Sequence, residues 1–396
     1  MTTTRKAAWF VWIIASVFYA YQYVLRVIPN AMFSDIMQQF HMDGAIFGQF
    51  SGLYYIGYNM MPIPIAILLD RYGPRRIMTV CILLTVIGLL PILMAEHWVY
   101  PVIGRVLIGT GSAAAILGLF KIIRMTFSEQ YFTRMLSLSV TIGLIGAIYG
   151  GGPVSDMCGS LGYKTVVKIF ILAGLALAAT TYLIIPDVEP DNNERTVLSD
   201  IKTIFANNKV MLLCISAGLM VGPIEGFADV WGSEFLKQVY GYDLHLAGSR
   251  PSMIFVGMCF GAPLLGMIAD KTGNYIGCII VSGILMCIIF SVLTLGLFTP
   301  LSMTIGFLIV GFCSAYQILA IYIATTWVPE NVTALTAAVV NMIIMSFGYL
   351  FHSAIGFIVN AYQGISGATA FTYAVSVIPI ALALGTIGFI ALKLRQ

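Results

Sequence analysis

Twelve apolar stretches divide this chain, and they restrict its fold more than any other feature of the sequence. Each stretch has roughly the 20 apolar residues that an α-helix needs to cross a bilayer. The composition agrees, since 59% of the 396 residues are hydrophobic and 9% are charged, against about 25% charged in soluble domains. We therefore predict an all-α membrane protein. The approximate limits of the stretches are 8–30, 46–69, 77–95, 98–122, 135–158, 164–185, 210–232, 250–269, 275–297, 300–325, 335–359 and 366–391.

A short polar turn between the second and third stretches indicates the orientation of the chain. The segment Asp70–Arg76 carries one acidic and three basic residues with a glycine and a proline, a combination that hydrocarbon does not accommodate. Short loops rich in Lys and Arg stay on the cytoplasmic side. We therefore place this turn, and with it both termini, in the cytoplasm.

The turn has a counterpart in the second half of the chain, at Gly266–Gly273. An internal repeat of this kind indicates two six-helix halves that arose by duplication. The aligned pairs include Asp70 with Asp270, Gly73 with Gly273, and Gly109 with Gly311. The predicted domains are an N-terminal six-helix bundle at 1–186, a cytoplasmic linker at 187–209 and a C-terminal six-helix bundle at 210–396.

These motifs resemble those of a known family of membrane transporters. The turn at Asp70–Arg76 resembles the signature turn between helices 2 and 3 of the major facilitator superfamily, although the family's usual glycine is Ala66 here. Arg105–Gly111 is similar to the family's helix 4 motif, and Gly143–Pro153 to its glycine-proline motif in helix 5. The resemblance implies a major facilitator fold, with twelve transmembrane helices in two pseudo-symmetric six-helix bundles.

A finer resemblance concerns the first two helices. Tyr19–Asn30 and Phe47–Tyr55 are similar to a proteobacterial branch that includes phagosomal amino-acid transporters. More distantly, they are similar to the lysosomal dipeptide transporters of animals. This resemblance implies that the substrate is an amino acid or a short peptide, and that the chain lies in a bacterial inner (plasma) membrane.

Three charged residues inside the predicted spans are candidates for the substrate and proton sites, because a charge in hydrocarbon is costly unless paired or hydrated. Arg26 lies on helix 1, while Glu225 and Asp229 lie four residues apart on one face of helix 7. The repeat aligns Arg26 with Glu225, so a pseudo-twofold axis would set them opposite each other. Either they form an ion pair that closes one conformation, or they bind the carboxylate and ammonium groups of a zwitterion. A third interpretation has Asp229 capping the outer end of helix 7.

Aromatic and amide side chains at the same level are predicted to line the substrate site, although simple packing is the alternative for each. These are Tyr19, Gln22, Tyr23, Tyr316 and Gln317. Arg105 has two interpretations: it donates hydrogen bonds to backbone carbonyls of neighbouring helices, or, as the family resemblance implies, it takes part in proton coupling. Glu225 and Asp229 are the other candidates for proton coupling, because burial favours the neutral form of a carboxyl group.

The two repeated turns are predicted to control the conformational change. Asp70 can cap the start of a neighbouring helix, Gly73 forms the turn, and the basic side chains can bridge to carboxylates. The basic residues are Arg71 and Arg75, with Glu129 as one candidate partner. Asp270 and Lys271 repeat the arrangement, with Glu330 as the candidate partner.

Together these features predict a secondary transporter that moves a small solute by alternating access and couples it to protons. The favoured substrate is an amino acid or short peptide. The alternative is an organic or phosphorylated anion held by Arg26, and a transport-inactive receptor or scaffold is the alternative from another class. No nucleophile-base set or phosphate loop occurs in the sequence. We therefore expect no enzymatic activity, cofactor or metal. The expected partners are the solute, the coupling proton and the bilayer, without nucleic acid, and the chain is expected to be a monomer.

Overall fold

The computed structural model describes residues 5–186, 204–328, 333–362, 364 and 366–394, in which helix dominates and no strand occurs. The helices are α1 (Arg5–Ala31), α2 (Phe33–Phe40), α3 (Gly44–Met60), α4 (Pro62–Met94), α5 (Val99–Thr126), α6 (Glu129–Leu161), α7 (Tyr163–Ile184), α8 (Asn208–Gly226), a π-helical turn (Phe227–Trp231), α9 (Gly232–Tyr240), α10 (Leu244–Ser249), α11 (Ser252–Thr272), α12 (Tyr275–Thr294), α13 (Pro300–Ser314), α14 (Tyr316–Thr326), α15 (Thr333–Ala361) and α16 (Gly367–Leu394).

Eleven helical segments of the described chain are long and apolar enough to cross a membrane. One of them, α4, leaves the helical conformation at Gly73, where φ is 76° and ψ is 162°. The part of α4 before Gly73 continues from α3, because Met61 between them keeps helical angles (φ −99°, ψ −12°). Counted with this break, the segments form twelve spans, as the sequence predicts. The predicted polar turn is therefore a single non-helical residue, and its charged neighbours lie on helical backbone.

The internal repeat is visible in the backbone of the two turns. Gly73 and Gly273, which the repeat aligns, both have positive φ angles, of 76° and 61°. Residues with a Cβ rarely adopt this conformation, whereas glycine adopts it without cost. The duplicated glycine thus ends one helix and redirects the chain in each half.

The repeat is visible again where helices approach each other most closely. A Cβ added to Gly109 would lie well under 3.0 Å from the carbonyl oxygen of Tyr54, and one added to Gly311 would lie equally near that of Ile254. Tyr54 and Ile254 are themselves aligned by the repeat, 200 residues apart. Each half therefore contains the same close contact between its second and fourth spans.

The described helices group into two compact units. One unit falls within Met1–Met42 and Leu53–Asn193, and the other within Asp43–Gly52 and Glu194–Gln396. In the first unit α4 packs against α5, and α1 against α6. In the second unit α15 packs against α8, and α11 against α13. Most of the predicted linker, residues 187–203, lies outside the described residues, so the linker and the domain limits stay predictions.

The seventh span is not a regular α-helix. Between α8 and α9 the π-helical turn inserts a wider loop of backbone, in which the N–H of Gly232 donates to the carbonyl of Phe227 five residues earlier. π-Helical turns inside α-helices frequently occur at functional sites. Glu225 lies just before this turn and Asp229 lies within it. The two carboxyl groups therefore flank the point at which the hydrogen bonding changes from α-helical to π-helical.

Candidate functional site

Arg26 is a buried cation of the first unit, with 7% of its surface exposed. Its guanidinium carbon lies 5.3 Å from the ring centroid of Tyr23 and 5.2 Å from that of Tyr55. Cation–π contacts of desolvated groups contribute about 2 kcal/mol. The two rings therefore hold the guanidinium in place, and a guanidinium is a planar fork of N–H donors that matches a carboxylate.

Close packing of α6 against α1 positions the tyrosines beside Arg26. A Cβ added to Gly143 would lie 2.6 Å from the ring of Tyr19, and one added to Gly146 would lie still closer to the carbonyl oxygen of Ala20. The ring of Tyr19 in turn packs edge to face against Tyr23, with centroids 5.2 Å apart. The small residues of the helix 5 motif therefore allow the approach that fixes these two rings.

Gln22 belongs to the same group of side chains, through a partner on α3. The hydroxyl of Tyr54 donates a hydrogen bond of 2.7 Å to Oε1 of Gln22. Tyr54 and Tyr55 belong to this group of side chains, although the sequence did not indicate them as site residues. Their positions on an aromatic stretch of helix 2 were the available signal, but only packing shows which rings meet Arg26.

Arg105 donates its hydrogen bonds to the backbone of α1. Its Nη1 lies 2.6 Å from the carbonyl oxygen of Leu25, and its Nη2 lies 3.2 Å from that of Arg26. The guanidinium carbon also lies 5.0 Å from the ring centroid of Tyr54. Only 2% of the residue is exposed. This is the geometry of the first of the two interpretations, in which Arg105 supports the segment of α1 that carries Arg26.

Glu225 lines a narrow pocket in the second unit. The other lining residues are Val221, Ile224, Ala228, Ile254, Phe255, Met258, Ser314, Tyr316 and Gln317. The pocket leaves about 10 Å³ for the centre of a water molecule, which is room for about one water. The structure thus brings Glu225, Tyr316 and Gln317 together around a small, mostly apolar space.

The polar residues around this pocket have defined hydrogen bonds. Nε2 of Gln317 donates to Oδ1 of Asn341 at 3.0 Å, and the hydroxyl of Tyr316 donates to the carbonyl of Ala217 at 2.7 Å. Asp229 is fully buried in the π-helical turn and is not among the residues that line the pocket. Of the two carboxyl groups, only that of Glu225 therefore borders this pocket.

The two repeated turns hold their acidic residues in different ways. Asp70 pairs with Lys121, whose Nζ lies 2.5 Å from its Oδ1. Oδ1 of Asp270 accepts a 2.8 Å hydrogen bond from the hydroxyl of Tyr275. The guanidinium of Arg71 lies over the ring of Tyr72, and Arg75 lies over that of Tyr182. Glu330 and the side chain of Glu129 lie outside the described residues.

Replacing Asp70 by asparagine is expected to lower turnover several-fold while changing stability by less than about 1 kcal/mol. The pair with Lys121 is exposed (side-chain exposures of 63% and 26%), and exposed ion pairs contribute little. Uptake kinetics and the midpoint of thermal unfolding measure the two effects. Lys121→Met is the matched control for the ion pair itself. A midpoint that falls by more than about 3 °C would show that Asp70 supports the fold rather than the conformational change.

Among the described residues, no cluster of His, Cys, Asp and Glu has the arrangement of a metal site. Arg26, Tyr19, Gln22, Tyr23 and Arg105 form one group in the first unit, and Glu225, Tyr316 and Gln317 form another in the second.

Known proteins with similar sequences are membrane transporters. The nitrite extrusion protein of Bacillus subtilis (strain 168) is 20% identical over 258 residues, which cover 63% of this chain and 62% of that protein. The lysosomal dipeptide transporter MFSD1 of Danio rerio is 23% identical over 273 residues, covering 62% of this chain and 58% of that protein. The chain thus spans less than two thirds of the curated relatives it matches.

Solved structures share the fold over nearly the whole chain. A bacterial homolog of the human lysosomal transporter Spinster superposes with a TM-score of 0.79 at 16% identity, over 99% of this chain and 98% of that one. The nucleoside transporter NupG gives 0.77 at 14% identity, over 98% and 99%. The D-xylose-proton symporter gives 0.76 at 12% identity, over 97% of both chains.

The sequence profile described as Major Facilitator Superfamily matches residues 11–351, which include the turn motif and its repeat in the second half. Proteins of this family are integral membrane transporters and not enzymes, as the sequence predicts. The chain belongs to the major facilitator superfamily.

Proposed function

We propose that the protein is a secondary active transporter that moves an amino acid or short peptide by alternating access, coupled to protons. We place it in a bacterial inner membrane with both termini in the cytoplasm. The observation that carries the proposal is the buried guanidinium of Arg26, which the rings of Tyr23 and Tyr55 hold. In this position a planar fork of donors recognises a carboxylate, the group that every amino acid and peptide carries. The lysosomal dipeptide transporter among the relatives is consistent with such a substrate.

Glu225 is proposed to carry the coupling proton. Its pocket holds about one water molecule, which suffices to deliver a proton. The side chains that line the rest of the pocket are mostly apolar. Asp229 and Arg105 remain candidates for the same step, and binding of a substrate ammonium group remains the alternative role of Glu225.

A second candidate function is the transport of a small anion held by Arg26. The specific observation in its favour is the similarity to the nitrite extrusion protein. An anion needs a cationic site and no carboxyl group beside it, so in this case Glu225 has no part in substrate binding.

The test is uptake into proteoliposomes under an inward proton gradient, with labelled amino acids, dipeptides and nitrite as solutes. Arg26→Gln is expected to abolish both gradient-driven uptake and counterflow of a zwitterion, while Arg26→Lys retains part of each because it keeps the charge. Glu225→Gln is expected to abolish gradient-driven uptake and leave counterflow intact. Glu234→Gln is the matched control, because Glu234 is also a buried acid (6% exposed), pairs with Lys237 and does not line the pocket.

Two results would overturn parts of this proposal. Loss of counterflow in Glu225→Gln would make Glu225 a substrate ligand and not the coupling group. Transport of nitrite but of no amino acid or dipeptide, with Glu225→Gln as active as the wild type, would replace the zwitterion proposal by the anion candidate.

A further inference from the structure

A second cavity lies in the second unit, away from Glu225, between α11, α12 and α13. Its volume is about 510 Å³, far larger than the space beside Glu225. The walls are mostly aliphatic, and Val281, Leu285 and Ile309 on its sides are exposed. Side chains of this kind, exposed on membrane-spanning helices, face lipid tails rather than water.

The cavity is a groove that starts at helix ends and runs into the membrane. On α12 its lining extends from Asn274, the residue before the helix, to Leu285. At 1.5 Å per residue, this distance corresponds to roughly 16 Å along the helix axis. The groove therefore reaches from the level of the helix ends to about the middle of a hydrocarbon layer that is about 30 Å thick. This is the depth that one acyl chain occupies.

Apart from Ser282, which is buried, the polar side chains that line the groove lie near the end at which α11 finishes and α12 begins. Thr272 and Asn274 lie there, and Lys393, one residue before the end of α16, lines the groove with its exposed side chain. Two other charged residues of the described chain follow or precede the groove lining in sequence: Lys271 is next to Thr272, and Asp270 accepts a hydrogen bond from Tyr275. The described part of this end thus offers an ammonium group directly above an apolar channel.

We propose that this groove binds an anionic phospholipid, with an acyl chain along α12 and its phosphate at Lys393. The order of charged and apolar side chains along the groove matches the order of headgroup and tail in such a lipid. Basic residues between membrane-spanning helices attract anionic headgroups, and the aliphatic walls below Lys393 match the tail of the same molecule. The site is independent of the solute that the protein carries, so it does not rest on the proposed function.

The test measures lipid occupancy of the purified full-length protein by native mass spectrometry. Dioleoyl phosphatidylglycerol is the anionic probe and dioleoyl phosphatidylcholine is the neutral one. The wild type is expected to bind the anionic lipid more tightly. Lys393→Gln is expected to weaken the binding of phosphatidylglycerol about five-fold, the effect of one lysine near a membrane surface, and to leave phosphatidylcholine binding unchanged. Lys271→Gln, whose lysine does not line the groove, is expected to behave like the wild type.

A second pair of variants tests the tail. Val281→Trp fills the groove and is expected to lower the occupancy of both lipids, whereas Ile288→Trp is the matched control. Both residues lie on α12 with similar exposure, 57% and 54%, but only Val281 lines the groove. Equal binding of the two lipids by the wild type, or phosphatidylglycerol binding that Lys393→Gln leaves unchanged, would overturn the proposal. A dimer that Val281→Trp abolishes and Lys393→Gln preserves would assign the groove to a second copy of the chain and would overturn it too.

Discussion

Alanine at Gly109 or at Gly311 is expected to destabilise the protein by about 3 kcal/mol, and valine at either position to prevent folding. A single Cβ at these positions would lie well under 3.0 Å from a backbone oxygen of the facing helix, closer than real Cβ atoms come. A flexible side chain could move aside, but a carbonyl oxygen in the middle of a membrane-spanning helix moves only with its helix. The second and fourth spans of that half would therefore have to move apart along their whole interface. Close approach through small residues is also what drives helix association in a membrane, where the hydrophobic effect between helices is absent.

The measurement is the yield of monodisperse protein and the midpoint of its thermal unfolding in detergent. Gly266→Ala is the matched control, because it lies in a membrane-spanning helix and its added Cβ meets nothing within 4 Å. The repeat makes the prediction stricter, since Gly109→Ala and Gly311→Ala should have similar effects in their separate units. A protein that tolerates one of them and not the other would show that the duplicated contact is needed in only one half.

The features that the sequence predicted correctly are those with a local or periodic cause. Hydrophobic length fixes the number of spans, because the bilayer sets how much chain each one needs. The turn at Gly73 follows from a glycine that must take a positive φ. The repeat was readable because backbone conformation and close packing both demand glycine at aligned positions.

The features that the sequence did not show depend on contacts between helices. Tyr55 lies beside Arg26 only because α3 brings it there, and no spacing within one helix indicates that. The π-helical turn was missed because it inserts backbone without changing the hydrophobic pattern. Glu225 lines the pocket beside this turn and Asp229 does not, and the sequence spacing of the two residues gave no sign of that difference.

Substitution of Arg105 is expected to lower the stability of the protein, chiefly because of Pro29, a proline on another helix. Pro29 lies inside α1 and has no N–H to donate to the carbonyl of Leu25, four residues earlier. Nη1 of Arg105 donates to that carbonyl at 2.6 Å. In a membrane such a freed carbonyl must find a partner within the protein. Arg105 thus replaces the hydrogen bond that Pro29 removes, and it does so next to Arg26, whose own carbonyl accepts from Nη2.

The internal repeat supports this pairing, because both partners are absent together from the second half. The offset that aligns Arg26 with Glu225 aligns Pro29 with Ala228, and the offset that aligns Gly109 with Gly311 aligns Arg105 with Phe307. Phe307 is fully buried and packs against Phe227 with ring centroids 5.6 Å apart. In the second half, alanine stands at the position of Pro29, and the apolar ring of Phe307 stands at the position of Arg105.

Arg105→Met is therefore expected to destabilise the protein by about 1–3 kcal/mol, the cost of an unsatisfied buried polar group. It is also expected to raise the KM of the transported solute through displacement of Arg26. Pro29→Ala should recover most of this loss in the double variant, because the backbone N–H that this substitution restores can donate to the carbonyl of Leu25. Pro29→Ala alone is expected to be close to neutral, because a carbonyl oxygen can accept two hydrogen bonds. Thermal unfolding of the wild type, both single variants and the double variant measures the coupling between the two sites.

Transport by the wild type, the two single variants and the double variant distinguishes the two roles that Arg105 can have. If Arg105 only supports the backbone, the double variant regains gradient-driven uptake along with stability, since its helix is complete and Arg26 returns to its position. If the charge of Arg105 also takes part in proton coupling, the double variant regains stability and counterflow but not gradient-driven uptake. Equal destabilisation by Arg105→Met in the presence and absence of Pro29 would contradict the replacement of the lost hydrogen bond. In that case, the contact with Leu25 would be a consequence of burying the arginine and not the reason for its position.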